Sequence, residues 1–162
     1  MQTRNEKISA FGNAHRDVVK ALQPIPREAW QFKPSANEWS IHQVLIHLAD
    51  TEANAYVRFL KGVAETGGTL MVMDQEVWAE NLHYHDQDPD LALELFRLLR
   101  LKTAQLIKQL PETVWSNQVN HPESGLITLD DWLTNYADHA FVHIRQIQRV
   151  YNQYKAAQIV VV

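Results

Sequence analysis

Apolar residues recur at three- and four-residue intervals in four long stretches, the spacing that gives an α-helix one buried face. The first, about 4 to 22, aligns Ile8, Phe11, Val18, Val19 and Leu22. The second, about 40 to 64, aligns Ile41, Val44, Leu45, Leu48, Ala55 and Phe59, with Glu52 inside the stripe. The third, about 89 to 110, follows Leu91, Leu95, Leu98, Leu99, Leu101, Ala104, Leu106 and Ile107. The fourth, about 128 to 156, follows Leu129, Trp132, Leu133, Tyr136, Ala140, Ile144, Ile147, Val150 and Tyr151.

Punctuation agrees with this reading. Pro24, Pro26 and Pro34 break the chain after the first helix, and Ser40 is placed to cap the second. Gly67-Gly68 closes it. Asp88-Pro89 opens the third, and Thr128, with Asp131 three positions on, opens the fourth. A short extra helix is expected near 74–80, and the closing IVVV as a tail or contact strip. No run alternates apolar and polar residues as a strand does. The chain therefore reads as one all-α domain over 1–162, a four-helix bundle. Its long connections, 23–39 and 111–127, permit a topology other than simple up-and-down.

Composition narrows the chemistry. The chain has 162 residues, a formal charge of −4, no cysteine and eight histidines. The mild acidity supplies no basic patch for nucleic acid. Absence of cysteine removes disulfides, thiolate nucleophiles and Cys-type zinc sites, and suits a cytoplasmic location. The N-terminus is not a signal peptide, and no apolar run approaches the roughly 20 residues of a membrane span. No glycine-rich phosphate loop or nucleophile elbow is present.

The histidines are the remaining oddity. On the second helix, His47 falls beside the apolar stripe, in line with Thr51, Asn54 and Arg58. On the fourth, His139 and His143 stand one turn apart and project from the same face. Such a pair chelates a divalent ion, and a third imidazole from a facing helix completes a set with open positions. Imidazole suits zinc, nickel, iron or copper. Taken singly, a helical histidine is more often a hydrogen-bonded core or boundary residue. His15 lies in the first helix's stripe, either buried and bonded or supporting the site from behind. His42 points away from His47, toward the surface. His83 and His85 form a rival HxH ligand set in a loop. Glu52, inside an apolar stripe, needs a partner, with Arg58, Arg145 and His15 the candidates. Asp50 is placed to orient a ring N–H.

WSIHQVLIHLADTE (39–52) and HAFVHIRQI (139–147), with PREAWQFKPSANEWS before the first, resemble the DinB-like (DinB/YfiT-like) metalloenzyme superfamily over roughly residues 5 to 155. The resemblance implies a four-helix bundle of up-down-down-up topology and a divalent metal on His47, His139 and His143. It further implies homodimers, and small-molecule chemistry that is either transfer of a low-molecular-weight thiol to an electrophile or hydrolysis. A metal there acts as a Lewis acid on thiol or water. Thr51, Asn54, Arg58, Tyr136 and Gln146 would then line the substrate's approach, with Arg58 suited to a carboxylate. The competing expectation is a non-catalytic bundle, a dimeric metal-binding or stress-response module.

Overall fold

The computed structural model describes residues 2–160, the side chain of residue 160 excepted. Five helices carry the chain: α1 (Arg4–Leu22), α2 (Ile41–Ala64), α3 (Gln75–Asn81), α4 (Pro89–Ile107) and α5 (Leu129–Val160). α3 is short; the other four form the bundle. Their starts are chemically marked. Thr3 and Ser40 each close a reciprocal capping box, on Glu6 and Gln43 respectively. Asp74 and Asp88 cap α3 and α4. The closing IVVV lies partly outside the described residues; Ile159 is the last turn's exposed end.

Contacts between helices fix their directions. Arg4 and Lys7 reach Asp130, so α1 and α5 start together and run parallel. His42 meets Gln87 just ahead of α4, so α2 and α4 also run parallel. His15 lies against Phe96, while Gly12 faces Ala104, which sets α1 antiparallel to α4. His47 meets His143, whereas Phe59 meets Trp132, which sets α2 antiparallel to α5. The order is up-down-down-up. The parallel pair α2/α4 needs a return path, and residues 65–88, which contain α3, supply it.

One pair of strands does form. β1 (Gln118–His121) and β2 (Gly125–Thr128) make an antiparallel hairpin with His121 opposite Gly125. Each strand has four residues, too short to show alternation, and so the sequence reading passed over it. Gly125 sits at φ +74°, the left-handed position that such a three-residue loop requires. The 65–74 connection runs beside the hairpin: Gly67 N–H donates to Gln118 C=O and Leu70 N–H to Asn120 C=O.

The interior holds two apolar clusters. One gathers Val18, Leu45, Leu48, Phe96, Ile147 and Val150; the other gathers Phe11, Phe59, Ile107, Trp115, Trp132 and Leu133. The inner face of α4 differs from the leucine stripe read in the sequence. Ala92, Phe96, Arg100, Thr103 and Ile107 are buried, whereas Leu91, Leu95, Leu98 and Leu101 are exposed. A buried arginine depresses the apolar signal of the true inner face, and leucines outside it supply a stronger false one. Val19 is likewise on the rim of its helix.

Candidate metal centre

α2 and α5 cross antiparallel and bring three imidazoles together. The ligand nitrogens of His47, His139 and His143 all lie within 4.8 Å of one another. His47 is 2% exposed, on the nearly all-buried first half of α2. His139 and His143, one turn apart on α5, put their Nε2 atoms 3.1 Å from each other. Two imidazole nitrogens each about 2.0–2.1 Å from one zinc-sized cation stand about 3 Å apart. The His139–His143 pair is therefore spaced to hold one divalent transition ion, and His47 stands near enough to be the third donor.

Protonation states favour ligation. Burial pushes His47 down to about 3 and His139 down to about 2, the neighbouring imidazoles adding to the effect. Burial lowers His143 too, against the opposing bond from Gln146. All three rings are thus neutral at pH 7, with lone pairs available. Gln146 Oε1 accepts from His143 Nδ1–H at 2.8 Å, which leaves Nε2 as the ligand nitrogen. Gln146, expected along the substrate's approach, lines the cleft that opens at His143 and also orients that ring.

The other residues singled out from sequence divide. Thr51 Oγ1 stands 3.2 Å from His47 Nε2. Arg58 donates through Nη1 to the Tyr136 hydroxyl at 3.1 Å and through Nε and Nη2 to the Met71 carbonyl. Asn54 is buried, and its amide has no partner among the described residues. Asp50 faces the Tyr84 hydroxyl rather than a histidine, and with burial it raises the phenol's pKa. Glu52 pairs with Arg100, not with Arg58, Arg145 or His15. The reason is the turned face of α4, which points Arg100 inward. His15 is half-buried in the groove between α1 and α4, its ring against Phe96. α1 and α2 occupy opposite corners of the bundle, so His15 faces away from the α2–α5 seam.

His42 is buried rather than on the surface. Its Nε2–H donates to Gln87 C=O at 2.7 Å, and its Nδ1 accepts from the Gln31 amide at 3.1 Å. The two loops packed over the start of α2 cover a face that a bare helical wheel leaves open. His83 and His85 are exposed and join no three-ligand group among the described residues.

The sequence reading missed two walls of the site. Trp39 packs edge-on against His47, ring centroids 4.9 Å apart, while its Nε1–H donates to Glu76. Its position directly before the Ser40 cap was the available signal. The hairpin contributes His121, Ser124 and Ile127 to a cleft of about 280 Å³ that reaches His139. A second cleft, about 160 Å³, opens on the other side at His143, between Trp39, Glu76 and Arg149.

Antiparallel helices that converge three neutral imidazoles beside two clefts define a bundle protein with a metal-type histidine site. The chain belongs to the DinB superfamily, whose family model matches residues 10–147. It is 31% identical over 143 residues to a candidate metal-dependent hydrolase of Oceanobacillus iheyensis, covering 88% of this chain and 83% of that one. YfiT of Bacillus subtilis, described in the same terms, is 30% identical over 110 residues, 67% of this chain and 62% of that protein. The solved YfiT structure, described as an unusual four-helix bundle topology, matches with a TM-score of 0.86 at 22% identity, over 96% of this chain and 91% of that one. A mycothiol-dependent maleylpyruvate isomerase shares the fold with a TM-score of 0.72 at 11% identity, over 90% of this chain and 61% of that one. Among the described residues no helix is long and apolar enough to cross a membrane.

Proposed function

We propose that His47, His139 and His143 hold one divalent transition ion (zinc, nickel or iron) and that the chain is a metal-dependent enzyme that transfers a low-molecular-weight thiol to a small electrophile. The observation that carries the reading is the convergence of three neutral imidazoles with one ring oriented by Gln146. A divalent ion in this position supplies Lewis-acid stabilisation of negative charge.

Thiol transfer is favoured over hydrolysis by what surrounds the histidines. Attack by water calls for a general base within reach. The cleft on the hairpin side has no carboxylate in its lining and offers, besides the ligand His139, only the His121 imidazole as a base. On the other side Glu38 is paired with Arg149, and Glu76 accepts from Trp39. A thiol is the more acidic nucleophile and depends less on such a base. The chain has no cysteine, so the sulfur comes from a co-substrate. In the transfer, that sulfur forms the new bond to carbon, its proton passes to solvent, and the electrophile releases its leaving group. Tyr136 and Arg58 hold each other at the cleft wall, while Trp39 shields His47 from water.

The working unit is a homodimer in this proposal. Leu91, Leu95, Leu98 and Leu101 leave an apolar strip on α4 beside the Glu94–Arg97 pair. A second copy laid antiparallel on this strip would set Glu94 of one copy toward Arg97 of the other. Sedimentation equilibrium of the wild type and of Leu98→Glu tests it.

Elemental analysis of untagged protein purified without added metal, beside the triple variant His47→Ala/His139→Ala/His143→Ala, tests the centre. About one transition metal per chain, lost in the variant, supports it. Thiol-dependent turnover of an electrophile that a chelator stops supports the enzyme. Metal without any such turnover leaves a non-catalytic metal-binding bundle.

A further inference from the structure

The two clefts beside the histidines differ in charge. The one at His143 carries two carboxylates, Glu38 and Glu76, against one cation, Arg149. The one at His139 carries Arg58 and no carboxylate. Among the described residues Arg58 makes no ion pair. Its acceptors, the Met71 carbonyl and the Tyr136 hydroxyl, are neutral. A guanidinium has five N–H donors in a fixed fork. Those contacts engage Nε–H and one hydrogen on each terminal nitrogen, which leaves one free hydrogen on each. A cation with neutral partners and spare donors at a cleft wall is matched by a planar oxyanion.

The rest of the lining sets the shape of that anion's carrier. Leu70, Ile127 and Trp132 are apolar, whereas Thr51, Ser124 and Asn135 offer hydrogen bonds. His121 is oriented: its Nδ1 accepts from the Glu123 N–H at 3.3 Å, which leaves Nε2–H as the ring's donor. The walls come from two segments outside the helices. Leu70 belongs to the 65–88 connection, while His121, Ser124 and Ile127 belong to the hairpin. The two are joined where Leu70 N–H donates to Asn120 C=O at 2.9 Å.

We infer that the His139-side cleft binds the carboxylate of a small apolar organic acid, with Arg58 as the charged anchor and the hairpin residues His121 and Ser124 as specificity determinants. The inference rests on the proposed function only in taking this acid to be the electrophilic substrate; the binding itself needs no metal.

The test uses phenylacetate and its neutral isostere phenylacetamide as probes. Binding is followed by NMR titration of the tryptophan indole N–H signals, on metal-free and on zinc-treated protein. The metal-free arm decides, because zinc itself attracts carboxylates. Phenylacetate is expected to bind at least about tenfold more tightly than the amide, a charge-assisted pairing. Arg58→Gln should level the two. Because Arg58 also holds Met71, Ser124→Asp serves as the independent variant: it sets a carboxylate in the same lining and keeps Arg58's contacts. It should weaken phenylacetate several-fold more than it weakens the amide. Equal binding of acid and amide by the wild type, or an acid preference untouched by Ser124→Asp, overturns the inference. An acid preference retained in folded Arg58→Gln overturns it as well. Acid preference in a protein that takes up no metal leaves this cleft standing and removes the metal reading. Metal uptake without acid preference does the reverse.

Discussion

Arg100 Nε stands 2.6 Å from Glu52 Oε2 in the middle of the bundle, with both side chains 1% exposed. The same guanidinium donates through Nη1 to the backbone carbonyls of Phe11, at 3.3 Å, and Tyr136, at 2.9 Å. One α4 side chain therefore bonds to α1, α2 and α5 at once. The rings of Phe11 and Phe96 flank it, 4.0 and 5.1 Å from its centre. Burial pushes the Glu52 carboxyl's pKa up, and Arg100 opposes that shift.

Removing one member of a buried pair strands the other's charge, at a cost of about 3–5 kcal/mol. Arg100→Met is expected to lower unfolding stability by that order at pH 7. The double variant Arg100→Met/Glu52→Leu should recover most of it, since apolar residues of similar volume replace such pairs at little cost. Urea denaturation of the two proteins checks both statements.

Gln146 fixes which nitrogen of His143 is left for a ligand. Loss of such an orienting partner weakens metal affinity about 10- to 100-fold. Gln146→Ala should show that loss in a competition titration against a chromophoric chelator, with helix content unchanged by circular dichroism. His143→Ala should abolish binding outright.

Acid should destabilise the metal-free protein through these rings. An unfolded histidine takes up its proton near pH 6.5. In the fold, His47 does so only at about 3 and His139 at about 2. Between those limits the unfolded chain binds more protons than the native one. This contribution to stability is therefore complete above about pH 6.5 and drains as pH falls toward 3. Melting temperatures of metal-free wild type and of the triple-alanine variant should diverge in slope below pH 6.5, with the wild type falling faster. Parallel slopes would show that the imidazoles are not buried neutral.

Ser40 opens the helix that carries His47. Its Oγ accepts from Gln43 N–H at 3.2 Å, and its own N–H is bonded by the Gln43 side chain at 3.1 Å. The residue is fully buried, so water cannot replace the lost cap. Ser40→Ala should cost about 1–2 kcal/mol in chemical denaturation. Metal stoichiometry should survive, because His47 lies nearly two turns further along.

Much of the helix frame could be read from local order. Caps at Thr128, Ser40 and Asp88, breakers at Pro24 and Gly67, and apolar periodicity between them depend on neighbours within one or two turns. The alignment of His139 with His143 is of the same kind, since the helical repeat alone puts them on one face.

The sequence by itself determined the four long helices, their starts, and the histidines each brings to one side; α4 stops at Ile107 rather than near 110, and α5 runs on to Val160 rather than ending near 156. Only the tertiary structure decided which faces meet. It turned α4 so that Arg100 entered the core and Leu91, Leu95, Leu98 and Leu101 faced outward. It covered His42 with two loops and laid the hairpin over the cleft beside His139. The reason is one of range. Helix periodicity and capping are set by residues three or four apart, whereas the partner of Glu52 lies 48 positions away. A buried ion pair erases the hydrophobic signal by which a core face is recognised in sequence, and only packing restores it.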